Sequence, residues 1–188
     1  MNLSDLAIDK NWTLFLDRDG VINRRIQGGY VAYWNEFEFL PGVLKALKIL
    51  SPLFGRIFIV TNQQGIGKSM MTEGMLQEIH NRMLVEIQSH GGKIDGVYYC
   101  PALEEENSSN RKPAPGMAYK AKEDFPEIDL SHSIMIGDTE SDVEFGIRAG
   151  MHAGLCTSQS FEIKNMKFQP HFIVNDLLSF ALLLKKSL

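Results

Sequence analysis

The sequence predicts an α/β fold, a three-layer, Rossmann-like arrangement in which a parallel sheet carries helices on both faces. Three observations point there. Short β-rich apolar runs alternate with amphipathic helical patterns along the 188 residues, which is how a parallel sheet with crossover helices reads. Several of the strand runs are apolar on both faces, as strands covered by helices above and below must be. Two of them run directly into paired carboxylates, and in such folds the carboxyl ends of the strands form the ligand edge.

Taken in order, the strand runs are Thr13–Leu16, Ile57–Thr61, Val97–Cys100, Ser133–Ile136, Ala153–Cys156 and His171–Val174. Between the first two, Pro41 to Leu50 places Val43, Leu44, Leu47 and Leu50 on one face, with Pro41 suited to a first helical turn. Thr72 reads as an N-cap. It opens a helix in which Met75, Leu76, Ile79, Met83 and Ile87 recur at helical spacing until Gly91 and Gly92 stop it. Further helices are expected over Gly116–Phe125, Ser141–Ala149 and Asp176–Lys186. The segment from Pro101 to Pro115, with Glu104, Glu105 and Glu106 and then a polar run, reads as a solvated loop placed to frame a ligand.

Bulk properties narrow the function. The length suits one domain, 1–188, with its own core. A net charge of -4 without a dense Lys/Arg run argues against a nucleic-acid footprint and for a small-molecule partner. Cys100 and Cys156 are too few for a disulfide framework and read as reduced, buried thiols. No secretion signal is visible over Met1 to Trp12. The nearest candidate for a membrane span, Leu177 to Leu184, falls well short of the ~20 apolar residues needed. A cytoplasmic monomer is expected.

The chemistry concentrates at strand ends. The run Thr13–Leu16 feeds into Asp17-Arg18-Asp19-Gly20-Val21, and carboxylates clustered at the end of a buried strand are tolerable when a cation neutralises them. Mg2+ fits such hard oxygen ligands; a calcium loop would want Gly as its sixth residue, whereas Gly20 is the fourth. Ser133–Ile136 repeats the pattern with Gly137-Asp138-Thr139-Glu140-Ser141-Asp142, so Asp138 and Asp142 meet Asp17 on the same sheet edge. Ile57–Val60 ends in Thr61-Asn62-Gln63-Gln64-Gly65, where a hydroxyl and backbone N–H groups suit phosphate oxygens. Arg111-Lys112-Pro113 adds a lysine able to neutralise phosphate charge beside a nucleophile.

The order Asp17-x-Asp19, Thr61, Lys112, Asp138-x-x-x-Asp142 resembles the four motifs of the haloacid dehalogenase superfamily, from about Leu14 to Ala149. The resemblance implies that Asp17 attacks phosphorus. It also implies that Asp19 protonates the leaving oxygen and then activates water, with Mg2+ held by Asp17, Asp19 and Asp138. An acid at position 19 marks a hydrolase that empties its own aspartyl-phosphate. The longer strings Asp17 to Asn23, Gly29-Tyr30-Val31, Phe37-Glu38-Phe39, Thr61 to Ile66 and Arg111 to Met117 look like the D-glycero-D-manno-heptose bisphosphate phosphatases and the related histidinol-phosphate phosphatases. These are compact, capless members. The likeness implies a small phosphorylated metabolite as substrate, foremost the heptose 1,7-bisphosphate, with Asn62 and Arg111 binding it.

One departure concerns zinc, which such relatives commonly hold in the loop before Arg-Lys-Pro. Here Cys100 matches the first ligand, while Ala102, Ser108 and Asn110 stand in the other three places. A tetrahedral site needs about four ligands, so no zinc is expected. Two further readings compete. Polynucleotide 3'-phosphatases share the Thr-Asn-Gln and Arg-Lys-Pro strings. Separately, Asn62 to Ser69 nearly spells a P-loop, which would make an ATP-dependent kinase with Lys68 on the phosphates but leaves Asp17, Asp19 and Lys112 unexplained.

Overall fold

A computed structural model describes residues 3, 6–157 and 165–186. Its sheet has six parallel strands in the order β3-β2-β1-β4-β5-β6, where β1 is Thr13–Leu16, β2 Arg56–Asn62, β3 Gly96–Cys100, β4 Ser133–Gly137, β5 His152–Cys156 and β6 Phe172–Val174. The expected strands are all present, within one or two residues at each end. The helices are α1 Val43–Leu50, α2 Glu73–Ser89, α3 Gly116–Asp124, α4 Glu140–Arg148 and α5 Leu177–Lys186.

The first helix starts later than its apolar pattern suggests. Gly42 is its N-cap with φ 80°, a left-handed conformation that ends the preceding turn and leaves Pro41 outside the helix. Thr72 caps α2 as expected, its Oγ1 accepting the Met75 N–H at 3.2 Å.

Strand alternation sorts the core into two layers. Leu14, Leu16, Ile57, Ile59, Ile134 and Ile136 face α1 and α5 and the Met83 and Ile87 end of α2. Phe15, Phe58, Val60 and Met135 face Met117, Ala118 and Ala121 of α3 and Phe145 of α4. Each fully buried side chain of this size contributes roughly 1.5–3 kcal/mol by leaving water, so both layers fix strand register strongly. Among the described residues no helix is long and apolar enough to cross a membrane.

The strand order places the site. The chain winds one way from β1 through β2 to β3 and the other way through β4 to β6, so β1 and β4 are neighbours at the point of reversal. Ligands of such sheets bind outside the carboxyl ends of the strands there. Leu16 is paired with Ile136 on one side and Ile59 on the other, and the Asp17 N–H donates to the Ile136 carbonyl at 2.9 Å. Asp17 thus leaves the sheet level with Val60 and Gly137.

Candidate active site

A cavity of about 880 Å³ opens over this edge, with Asp17, Thr61, Lys112 and Asp142 among its lining. Lys112 is the hub of its floor. Its ammonium is buried and donates to Asp17 Oδ1 at 2.7 Å, lies 2.6 Å from Asp142 Oδ1, and donates to the Val60 carbonyl at 2.8 Å. Three acceptors satisfy its three donors. Burial would lower the Lys112 pKa, but the Asp142 and Asp17 charges raise it on balance, so it stays an ammonium.

Asn62 holds this lysine by its backbone. Its amide donates to the Lys112 carbonyl and its oxygen accepts the Lys112 N–H, both at 3.0 Å. Asn62 also lines the cavity, and this pairing leaves its amide a second N–H. The Lys112–Pro113 bond is cis.

Asp17, Asp138 and Asp142 bring carboxylate oxygens within 4.8 Å of one another. Burial is the main cause that pushes Asp17 up to about 7; Lys112 opposes it, and the charges of Asp142 and Asp138 add to it. Burial likewise raises Asp138 to about 6, with the Asp142 charge adding and Arg25 and Lys112 opposing. Such a cluster gains from a cation. Gly20 makes the room: at φ +101° it adopts a conformation suited to glycine, and a Cβ there would stand 2.0 Å from Asp138 Oδ2.

Asp19 meets the cluster through its backbone, since its side chain is committed elsewhere. Arg18 donates to both of its oxygens at 2.9 and 2.8 Å, Asn23 to Oδ1 at 2.8 Å and Gln63 to Oδ2 at 2.8 Å. Burial alone would raise its pKa, yet the Arg18 charge and these donors hold it below the usual carboxylate range. The part of Asp19 that faces the cluster is its backbone carbonyl, which accepts from Arg25 at 2.7 Å. Thr61 is buried at the end of β2, its hydroxyl accepting from Gln63 at 2.9 Å. Arg111 lines the cavity and donates to the Ala102 carbonyl at 3.3 Å.

The near P-loop is not a phosphate cradle. Its N–H groups are turned inward: Ile66 donates to the Gln63 carbonyl, Lys68 to Gln64, Ser69 to Ile66 and Met70 to Gly65. The following helix starts only at Glu73, so no helix N-terminus faces Lys68 as a P-loop requires.

Comparison with known proteins agrees with the geometry. The HAD-hydrolase-like family model matches residues 109–180. The D-glycero-alpha-D-manno-heptose-1,7-bisphosphate 7-phosphatase of Mycobacterium bovis is 41% identical over 147 residues, 78% of this chain and 77% of the relative. This chain belongs to the haloacid dehalogenase family of phosphatases. The D-glycero-beta-D-manno-heptose-1,7-bisphosphate 7-phosphatase of Helicobacter pylori strain J99 is 37% identical over 157 residues, 81% of this chain and 87% of that one. Among solved structures, a D,D-heptose 1,7-bisphosphate phosphatase from B. bronchiseptica, complexed with magnesium and phosphate, superposes with a TM-score of 0.82. It is 25% identical, with 94% of this chain and 99% of that one covered.

Sequence reading missed the residues around the family acid. Arg18 is fully buried, its other nitrogen 3.1 Å from His80 Nε2. Arg18 Nε, Asn23 Oδ1 and Gln63 Oε1 are buried without a hydrogen-bond partner, and all three belong to side chains that hold Asp19. A signal existed for Arg18, because a residue between two carboxylates at a buried strand end points to the opposite side and needs partners there. None existed for Arg25, which in sequence is indistinguishable from Arg24, a surface partner of Glu38.

Proposed function

We propose that this phosphatase hydrolyses D-glycero-D-manno-heptose 1,7-bisphosphate with Mg2+, in the cytoplasm, through an aspartyl-phosphate on Asp17. The observation that carries the reading is the pinning of Asp17: one carboxylate oxygen is tied to the buried Lys112, while the other lies toward the cation-seeking cluster at the cavity floor. A carboxylate so fixed is aimed rather than mobile, which is what nucleophilic attack on a bound phosphoryl group needs.

Asp17 and Asp138, with the backbone oxygen of Asp19, are the groups that would hold Mg2+. The hard oxygen donors and the room left by Gly20 fit that ion. When bound, it would supply charge to offset the buried carboxylates and the phosphoryl oxygens. We expect no zinc, since of the four family ligand positions only Cys100, just before the loop at 101–115, keeps its ligand.

In the first half-reaction Asp17 attacks phosphorus, the bond from phosphorus to the sugar oxygen breaks, and the Asp19 carboxyl gives its proton to that oxygen. In the second, the Asp19 carboxylate takes a proton from water, whose oxygen attacks phosphorus and frees phosphate and Asp17. The donors on Asp19 favour its ionised form, which suits the second half. The first half requires Asp19 to take up a proton and exchange its contacts with Arg18, and the spare polar atoms around it leave that exchange open.

The two relatives named above act on opposite anomers, so both anomers belong in the test. Phosphate release is measured on the α and β heptose bisphosphates, histidinol phosphate and a 3'-phosphorylated oligonucleotide. One heptose anomer is expected to lead in kcat/KM, and Asp17→Asn to lose activity by orders of magnitude. Activity of Asp17→Asn within about tenfold of wild type would sink the mechanism. Preference for the oligonucleotide or for histidinol phosphate would sink the substrate assignment.

A further inference from the structure

Arg25 is the guanidinium that the catalytic reading leaves without a task. It stands on the segment after Asn23, its side chain 45% exposed at the cavity wall. One nitrogen, Nη2, donates to Asp138 Oδ1 at 2.6 Å and to the Asp19 carbonyl at 2.7 Å, and lies 3.7 Å from Asp17 Oδ2. These three oxygens, drawn from the ends of β1 and β4, are the ones assigned to the metal above. A divalent ion bound at about 2.1 Å from such oxygens would overlap the space of that nitrogen. Guanidinium and ion therefore exclude each other.

We propose that Arg25 is a built-in competitor for the divalent cation: its guanidinium occupies the ion's oxygens, and metal binding is an exchange in which the ion displaces it. The inference rests on the metal reading of Asp17, Asp138 and the Asp19 carbonyl. Two features make exchange feasible. The other hydrogen-bond partners of this part of the chain do not involve the guanidinium, so the arm leaves without breaking the fold. Its partial exposure gives it water to move into, whereas the buried Lys112 beneath the same carboxylates has no such exit. The exchange keeps Asp17 and Asp138 from standing uncompensated, at the expense of metal affinity. An arm that occupies the site nine-tenths of the time weakens apparent binding about tenfold.

The test uses the full chain and Mg2+ alone. Isothermal titration calorimetry gives Kd for wild type, Arg25→Ala and Lys68→Ala, and thermal melts in EDTA give Tm without metal. Lys68 lines the same cavity but lies over the Tyr30 ring rather than on these oxygens, so its removal reports the general field of a cavity cation. Arg25→Ala is expected to bind Mg2+ about tenfold tighter and to melt lower in EDTA, with the deficit closed by saturating Mg2+. Lys68→Ala is expected to stay near wild type in both. If wild type binds Mg2+ and Arg25→Ala binds no tighter, or Lys68→Ala tightens equally, the exchange is wrong while the metal reading stands. If wild type binds no Mg2+, both fail.

Discussion

Replacing Lys112 by Met tests the site's architecture without any substrate. Met keeps the unbranched stem but removes the ammonium, leaving Asp17 and Asp142 stripped of the cation that lies 2.7 and 2.6 Å from them and the Val60 carbonyl without its donor. Breaking a buried ion pair by removing one partner costs about 3–5 kcal/mol, a large share of the about 5–15 kcal/mol that holds a domain together. With a urea m-value of about 2 kcal/mol/M, the unfolding midpoint should fall by about 1.5–2.5 M. Fluorescence of Trp12 and Trp34 follows the transition in EDTA. The double variant Lys112→Met with Asp142→Asn strands one fewer charge, and should recover at least about 1 kcal/mol relative to Lys112→Met. A single variant within about 1 kcal/mol of wild type, or a double variant less stable than the single, would refute the three-centre arrangement of Asp17, Lys112 and Asp142.

Three further outcomes follow from the same geometry. His80 is buried against Arg18 and near Asp19 and Tyr99, and burial first, then the Arg18 charge, lowers its pKa to about 3. The unfolded chain therefore takes up a proton below pH ~6.5 that the folded chain refuses, which removes about 1.4 kcal/mol of stability per pH unit on acidification. His80→Gln should lack that component between about pH 6.5 and 4 in urea unfolding, and identical slopes would contradict the assignment. Gly20→Ala forces a methyl to within 2.0 Å of Asp138 Oδ2 at φ +101°; it should cost about 1–3 kcal/mol and weaken Mg2+ binding in calorimetry, and an unaltered Kd would mean that Asp138 does not serve the ion. Arg111→Lys should lower kcat/KM for the heptose bisphosphate more than for an aryl phosphate, because a lysine cannot reproduce paired guanidinium donors; equal losses would place Arg111 on the reacting phosphate or the fold instead.

The sheet was legible because its strands are short apolar runs, two of which lead straight into carboxylates, so that at β1 and β4 periodicity and chemistry marked the same positions. Asp17, Thr61 and Asp138 come together because a parallel sheet delivers every carboxyl end to one edge, and Lys112 joins them from the loop after β3. What stayed illegible depends on which way a polar side chain turns. Asp19 turns its carboxylate to Arg18 and its backbone carbonyl to the cluster. Asn62 spends its amide on the Lys112 backbone. Residue type and spacing alone do not settle either choice, because each depends on a distant partner, Gln63 for Asp19 and Lys112 for Asn62, and the first also on a buried arginine of a type that is mostly exposed.

The charges at the switch point suggest why the site is built around two cations of different mobility. Asp17, Asp138 and Asp142 carry three carboxylates into a largely buried edge, and Lys112 and Arg25 offset two of those charges when all are ionised. One negative charge remains, and a phosphate dianion approaching that surface is repelled. On the exchange proposed above, a divalent ion in place of the Arg25 guanidinium would bring the cluster to neutrality. Lys112 cannot take part in this exchange, because its ammonium is enclosed and fully bonded; its place is to keep Asp17 an anion when burial pushes the carboxyl up to about 7. On that proposal the fixed cation would hold the proposed nucleophile ionised and the movable one would give way to the metal, a division of labour that follows from one side chain being buried and the other partly exposed.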